Sequence, residues 1–278
     1  MKQTDEAWRY SAEDLPPAKN PILYAYRCVV KSSAIIIFGL ISIVFGMTIL
    51  PPLRLILHPA RRFRKVARFL AYASFKGFVG LLILFRGIKL DVEGKAELRR
   101  MKGKVIAANH PSLLDVVILI SLVPNADCIV RGSLTKSVMT GVIRQLYIVN
   151  DLGYEQLLPR CRKSLAEGSN IIIFPEGTRT PRHGSNTFKR GAAHIAYDTG
   201  ADIQMLYIGG NDKYGLGKHD PFFSYNKEET YHYDLHLLPA IPTANYAGMP
   251  GHIATRRMTE KMHEMLATEA LARDNRIL

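Results

Sequence analysis

The sequence predicts an α/β fold, with a central, mostly parallel sheet flanked by helices and preceded by an N-terminal membrane helix. Short apolar runs of strand length, such as VIAA at Val105–Ala108, alternate with helix-length segments throughout residues 87–278. Strands that alternate with helices form parallel sheets that are covered on both faces. Before them, residues 32–53 contain no charged side chain and reach roughly 33 Å as a helix, which is long enough to cross a bilayer.

The first 86 residues divide into two predicted parts. Residues 1–31 carry nearly balanced charge and form an N-terminal segment, whereas residues 32–86 form membrane-associated helices with a basic cluster. A buried helix is the alternative for residues 32–53, but soluble helices of this length are rarely apolar all round. A cleaved signal peptide is disfavoured because no small-residue cleavage site follows. The sequence leaves open whether the helix crosses the membrane or is turned back by Pro51 and Pro52.

Basic side chains come directly after the apolar run, and a second apolar segment follows them. The positive-inside tendency assigns this side of the membrane to the cytoplasm. Residues 69–85 suit a helix that lies in the membrane interface or packs beside the first helix. The basic cluster consists of Arg54, Arg61, Arg62, Arg64, Lys65 and Arg68.

Residues 87–278 form the predicted α/β domain. Period-two alternation and short apolar runs predict its strands, and longer segments ended by glycine or proline predict its helices. The predicted strands are residues 88–94, 105–108, 127–132, 170–174, 201–210 and 229–241. The predicted helices are residues 113–123, 157–168, 192–200 and about 253–272, with another from residue 141 that runs into a strand ending at residue 150.

Reactive side chains follow the VIAA strand in the sequence NHPSLLD, residues 109–115. We predict that Pro111 takes the first position of a helix and that His110 lies at its cap. From there the ring folds back over the first turn, where the Asp115 carboxylate binds one ring nitrogen and leaves the other free. This arrangement is a general base with an orienting acid. Ser112 lies close by, but the chain lacks the GxSxG turn of serine nucleophiles, so we assign Ser112 at most a hydrogen-bonding role.

A second group of polar residues follows the strand NIIIF, which Pro175 ends. Glycine lets backbone approach a ligand closely, and arginine offers a planar fork of donors that suits phosphate or carboxylate. The turn is therefore a predicted anion-binding site, and the alternative is a surface salt bridge without function. Its residues are Glu176, Gly177, Thr178 and Arg179.

Lys189 lies just before a helix that is predicted to open at Gly191. Helix starts attract anions, so Lys189 is either a second phosphate contact or part of a solvated basic turn. We expect no metal site. His232, Asp234 and His236 alternate along one strand, but that pattern also describes an ordinary polar strand face.

The spacing HxxxxD, followed about sixty residues later by FPEGTR, resembles the glycerolipid and lysophospholipid acyltransferase family, and within it the bacterial 1-acylglycerol-3-phosphate acyltransferases. The resemblance covers residues 87–207 and extends more loosely beyond them. It implies acyl transfer from a thioester to a lipid hydroxyl, with catalytic roles for His110 and Asp115 and an N-terminal two-helix membrane element. The substrate-binding residues are then Glu176, Gly177, Thr178, Arg179 and Lys189.

In the expected reaction His110 removes the hydroxyl proton as the oxygen attacks the thioester carbonyl, and Asp115 holds the ring. Backbone donors near the turn bind the oxyanion. A thiol with a pKa near ~8.5 leaves readily, so the reaction requires no covalent acyl-enzyme and no bound cofactor. A hydrolase that uses the same pair to activate water, and a non-catalytic lipid- or carrier-binding module, stay open as alternatives.

The acceptor is less well defined, because two features of the family are missing. Members carry an arginine between the motifs where this chain has Asn150 and Asp151, and prolines in the strand after FKxG where residues 202–206 have none. Arg131 and Arg144 are candidates to replace that arginine. Another lysophospholipid, a lyso-ornithine lipid or a specialised lipid are therefore alternatives to 1-acylglycerol-3-phosphate.

The charge balance fits an enzyme with anionic partners. The chain has a net charge of +13 and a pI near 9.7. Nucleic acid is the least favoured partner, because there is no zinc-finger spacing, basic heptad helix or aromatic RNA-binding signature. We expect membrane lipids and an acyl-carrier protein as partners, with acyl-coenzyme A as the alternative donor. The expected location is the cell inner membrane, with the catalytic domain on the cytoplasmic side.

Overall fold

The computed structural model of the protein describes residues 7–132, 147–150 and 153–274. Its strands are β1 (Ile88–Val92), β2 (Val105–Ala108), β3 (Ala126–Arg131), β4 (Ile148–Asn150), β5 (Asn170–Ile173), β6 (Ile203–Gly209) and β7 (Tyr231–Ile241). In this part of the chain they form one seven-stranded sheet in the order β1-β7-β6-β2-β5-β3-β4. Each neighbouring pair is parallel except β6 and β7, which are antiparallel. The predicted α/β fold with a mostly parallel sheet is confirmed.

Helices cover both faces of this sheet. The helices of the described chain include α1 (Pro21–Val44), α2 (Leu50–Ile56), α3 (Ala60–Leu84), α4 (Lys95–Arg100), α5 (Asp115–Leu122), α6 (Tyr154–Ala166), α7 (Gly191–Thr199) and α8 (Gly251–Asp274). Along β2, Ile106 and Ala108 pack in one core with α3 and α5, whereas Val105 and Ala107 pack in another with α6, α7 and α8. The central strands are buried on both sides, and for this reason they read as unbroken apolar runs.

Each predicted strand has a counterpart in the structure; the strand at residues 105–108 has the predicted ends, and the others differ by one or two residues. The helix predicted from residue 141 lies outside the described residues, as do Arg144 and Asp151. The strand that this helix was predicted to enter is β4. The first helix begins at Pro21, well before the charge-free run, because the Asn20 side chain accepts the Leu23 N–H and caps it.

Two helical stretches of the described chain, Pro21–Ile56 and Ala60–Leu84, are long and apolar enough to cross a membrane. The first joins α1 to α2 through a π-helical turn at Phe45–Ile49. Pro51 and Pro52 have no N–H to donate into the preceding turn, and a widened turn accommodates this loss. The helix therefore continues through the two prolines, and the chain reverses only after Ile56. The exposed apolar side chains along this stretch indicate membrane association.

Helix α3 is fixed to the α/β domain. Its buried face, which includes Phe75 and Phe78, shares a core with α5. The Arg68 guanidinium donates from Nε and Nη2 to the two carboxylate oxygens of Asp127 in β3, at 2.7 and 2.6 Å, and both side chains are almost fully buried. Arg64 binds Glu167 beyond the end of α6. Two members of the predicted basic cluster therefore bind the domain itself.

Candidate active site

The two sequence motifs meet at one edge of the sheet. Strands β2 and β5 are parallel neighbours, so the residues that follow their carboxyl ends share that edge. The Asn109 side chain, directly after β2, exchanges two hydrogen bonds with the backbone of Ile208 in β6. The Thr180 N–H donates to the His110 carbonyl at 2.7 Å. Backbone and side-chain hydrogen bonds thus position His110 against the second motif.

His110 and Asp115 form the predicted pair. The distance from His110 Nδ1 to Asp115 Oδ2 is 2.8 Å, and the Asp115 side chain is fully buried whereas that of His110 is 17% exposed. The His110 ring stacks on Phe174, with centroids 4.1 Å apart. Because an ionised carboxylate only accepts hydrogen bonds, Nδ1 carries the proton and Nε2 is the basic nitrogen. Within the described chain, no side chain or backbone group hydrogen-bonds to Nε2.

The prediction that a helix starts at Pro111, with His110 at its cap, is wrong. Helix α5 begins at Asp115, and residues 112–114 form turns. The Asp115 carboxylate accepts the Ser112 N–H at 2.7 Å and the Ser112 hydroxyl at 2.5 Å. The first residue of the helix therefore closes the preceding turn with its own side chain, and the His110 ring reaches Asp115 across that turn.

Both carboxylate oxygens of Glu176, which was predicted to bind substrate, hydrogen-bond within the protein. Its side chain is buried, and Oε1 accepts the His110 N–H at 3.1 Å and the Thr180 hydroxyl. Its other oxygen accepts Asn186 Nδ2 at 2.6 Å. Burial raises the pKa of the Glu176 carboxyl above its ordinary value, although these three hydrogen bonds oppose the rise. The carboxylate therefore holds the backbone of His110 and closes the second motif.

We expect Glu176→Gln to lower the free energy of unfolding by about 1–3 kcal/mol, since it places an amide donor against another donor. Asn186 cannot turn over to compensate, because its Oδ1 accepts from Arg9 at 2.8 Å while its Nδ2 also donates to the Arg179 carbonyl at 3.2 Å. Denaturant unfolding measures the loss, with the exposed Glu155→Gln as the control. Equal stability of the two variants would show that Glu176 does not hold this turn.

The turn after β5 carries Arg179 and lies against the Lys189 side chain. Gly177 has a φ of +63°, a backbone conformation that favours glycine, and a Cβ at this position would lie 3.0 Å from Lys189 Cε and Nζ. Arg179 donates from Nη1 to the carbonyls of Leu216 and Gly217, at 3.0 and 2.5 Å. In the described part of the chain, its Nε and Nη2 have no hydrogen-bond partner.

The remaining residues of this prediction lie on or beside the same turn. Thr178 is partly exposed on it, and Lys189 is exposed. Arg131 reaches it from the end of β3 and donates to the Gly177 carbonyl. Arg131 and Asn150 are register partners on β3 and β4, so Arg131 occupies the region where the arginine of the family is missing.

The N-terminal segment also reaches the site, which sequence reasoning missed. The Trp8 ring stacks on His183 with centroids 4.9 Å apart, and the Tyr10 hydroxyl donates to the Arg179 carbonyl at 3.1 Å. Arg182 donates back to the Tyr10 carbonyl at 3.1 Å. Trp8 is the one tryptophan of the chain and lies in the sequence WRY before α1. This was the sequence feature that could have indicated a contact with the site.

The two histidines on the alternating polar face of β7, which the sequence analysis weighed as metal ligands, pair with carboxylates. His232 pairs with Asp91, and His236 lies 2.7 Å from both Glu93 and Asp234. Within the described residues, no group of three histidine, cysteine, aspartate or glutamate side chains is arranged to hold a metal ion.

A protein-family model described as Acyltransferase matches residues 89–209. The chloroplastic 1-acyl-sn-glycerol-3-phosphate acyltransferase of Arabidopsis thaliana is 28% identical over 133 residues, which are 45% of this chain and 37% of the relative. A probable 1-acyl-sn-glycerol-3-phosphate acyltransferase of Mycoplasma pneumoniae is 26% identical over 164 residues, 55% of this chain and 58% of the relative. The matched segments thus span less than two thirds of these relatives.

One solved structure has the same fold over nearly its whole length. It is the crystal structure of the 1-acyl-sn-glycerophosphate acyltransferase PlsC from Thermotoga maritima, with a TM-score of 0.67 and 18% sequence identity. The likeness covers 91% of this chain and 98% of that chain. It therefore includes the N-terminal helices as well as the α/β domain.

Proposed function

Because the chain belongs to the acyltransferase family, we propose that it moves a fatty acyl group from an acyl thioester to the hydroxyl of 1-acylglycerol-3-phosphate, giving phosphatidic acid. The observation that carries the proposal is the His110–Asp115 pair, held 2.8 Å apart, with the Arg179 guanidinium on the adjoining turn as a donor that suits a phosphate. A different acceptor, such as a lyso-ornithine lipid, is the second candidate. The mismatch at Asn150 favours it, whereas Arg179 and Lys189 favour a phosphate-bearing acceptor.

In the proposed reaction His110 Nε2 takes the proton of the acceptor hydroxyl while its oxygen attacks the thioester carbonyl. Asp115 holds the Nδ1–H and stabilises the imidazolium that forms. The new C–O bond then replaces the C–S bond, and His110 returns the proton to the departing thiolate. A thiol of pKa near ~8.5 is a good leaving group, so the acyl group passes directly from donor to acceptor.

The proposed acceptor contact predicts a selective defect in Arg179→Lys. Lysine keeps the charge but loses the planar fork that grips phosphate, so the KM for a phosphate-bearing acceptor should rise about 10-fold. The KM for the thioester donor should stay within about 2-fold, since its reacting carbonyl lies at His110 in this scheme. Arg182→Lys is the matched control, because Arg182 on the same loop is already paired with Asp212 and Asp220. Equal increases in both KM values would contradict a phosphate role.

The proposed setting is the cytoplasmic side of the cell inner membrane, where the donor is available. Exposed apolar side chains along α1, including Ile36, Leu40 and Val44, would contact lipid. The net charge of +13 would attract an acidic acyl-carrier protein or the anionic acyl-coenzyme A. No bound cofactor enters the scheme, because acyl transfer from a thioester needs only a base and a binding site.

A further inference from the structure

A buried hydrogen-bond chain extends from the catalytic pair into the core. The Ser112 hydroxyl lies 2.5 Å from Asp115 Oδ1 and 2.8 Å from the hydroxyl of Tyr233 in β7. Asp115, Ser112 and Tyr233 are all fully buried. Strand β7 is antiparallel to β6, so its first residues lie at the edge where β2 and β6 end, and this places Tyr233 behind the site.

The direction of each hydrogen bond in this chain follows from the donors available. Asp115 accepts from His110 Nδ1, the Ser112 N–H and the Ser112 hydroxyl. Ser112 has one hydroxyl proton, which goes to Asp115, and its oxygen also accepts the Leu114 N–H at 3.2 Å. The second lone pair of that oxygen is filled by Tyr233, which must therefore be the donor.

We propose that Tyr233 and Ser112 are positioning residues that hold Asp115 and set how strongly it binds the His110 ring. This inference rests on the proposed function for its role in catalysis but not for its geometry. Hydrogen bonds in a buried chain strengthen one another, so a phenol that donates to Ser112 makes Ser112 a better donor to Asp115. Burial raises the pKa of Tyr233 well above its ordinary value, so the phenol keeps its proton.

Charged groups also face this chain from the neighbouring elements. The Lys213 ammonium lies 4.7 Å from the centroid of the Tyr233 ring, within the range of a cation–π interaction. Arg179 and Glu176 approach the pair from the turn after β5, with opposite charges. None of these three groups hydrogen-bonds to Asp115 in the described structure. Asp115 is therefore linked to the buried core by Ser112, and by Tyr233 through Ser112.

The test compares Tyr233→Phe with Tyr231→Phe. Tyr231 is a matched control, because it lies two residues away on the same buried face of β7 but donates to the Tyr214 carbonyl instead. We expect Tyr233→Phe to lower kcat about 3- to 10-fold with both KM values unchanged, the effect of losing one buried hydrogen bond. On the acid side of its kcat/KM profile, Tyr233→Phe should begin to lose activity at a higher pH than the wild type does. The reason is that a less solvated Asp115 carboxylate favours the imidazolium form of His110. Tyr231→Phe should keep the wild-type profile.

A spectroscopic readout decides the same point without activity. In protein labelled with 15N-histidine, the Nδ1–H proton of His110 is identified by its loss in His110→Ala. It should move downfield in Tyr233→Phe, because Asp115 becomes a stronger acceptor, and stay in place in Tyr231→Phe. A proton that does not move in Tyr233→Phe, or that moves equally in both variants, overturns the inference. An inactive wild-type protein would overturn the proposed function alone, since this resonance is measured in either case.

Discussion

His110→Ala is expected to reduce acyl transfer by at least about 10³-fold while the protein stays folded. The acceptor hydroxyl loses its only positioned base in the proposed scheme, and water cannot replace a ring oriented at 2.8 Å from Asp115. The fold should tolerate the change, because the ring lies at the edge of the sheet and Asp115 keeps both hydrogen bonds from Ser112. Turnover with saturating donor and acceptor measures the loss, and thermal unfolding verifies the fold.

Two companion variants make this test specific. Asp115→Asn keeps the shape of the side chain but presents an amide donor to Ser112 or His110, which favours the wrong imidazole tautomer, so we expect a loss of about 10³-fold or more. His252→Ala removes an exposed histidine from the first turn of α8 and should leave turnover unchanged. A His110→Ala protein that keeps a tenth of wild-type turnover would rule out the general base.

Arg68→Met is expected to lower the free energy of unfolding by about 3–5 kcal/mol, the largest loss of stability that this structure predicts. The substitution leaves the Asp127 carboxylate buried without its cation, and among the described residues the Ser164 hydroxyl is its one remaining side-chain donor. Because Arg68 lies on α3 and Asp127 on β3, the loss also loosens the membrane-associated helices from the α/β domain. Denaturant unfolding in a single detergent measures the difference.

Two further variants separate the buried charge from the lost packing. Arg68→Met combined with Asp127→Leu removes both charges and should recover most of the loss, since no unpaired carboxylate remains. Arg64→Met breaks a more exposed pair with Glu167 and should cost at most about 1 kcal/mol. If the double variant is no more stable than Arg68→Met alone, the unpaired Asp127 is not the cause.

The sequence was sufficient for the mostly parallel sheet and for the position of each motif after a strand. VIAA and NIIIF read as strands because parallel central strands are apolar on both faces, and the residues after parallel neighbours must share an edge. The helix predicted at about residues 253–272 likewise corresponds to α8. The predicted start of α5 at Pro111 was wrong because the Asp115 side chain binds the backbone of the turn before it. Such a side-chain hydrogen bond competes with helix formation, and residue preferences alone do not show which of the two forms.

Contacts between distant parts of the chain were beyond local patterns. Glu176 was interpreted as a ligand contact, yet its partners Asn186 and His110 are set by how two loops pack. Arg68 was counted in a basic cluster, although its partner lies 59 residues away. Tyr233 looked like one of several tyrosines in an alternating strand, and only the antiparallel placement of β7 beside β6 brings it to Ser112.

The central claim is acyl transfer to a lipid hydroxyl, and the direct measurement is the fate of a labelled acyl group. Membrane-embedded protein would receive labelled acyl-carrier protein or acyl-coenzyme A with a panel of lyso-lipid acceptors, beside His110→Ala. The account predicts label in phosphatidic acid when 1-acylglycerol-3-phosphate is present, and none in the variant. Label in free fatty acid alone would establish a hydrolase, and no release of label in either protein would favour a binding module. Each of these two results would contradict the account.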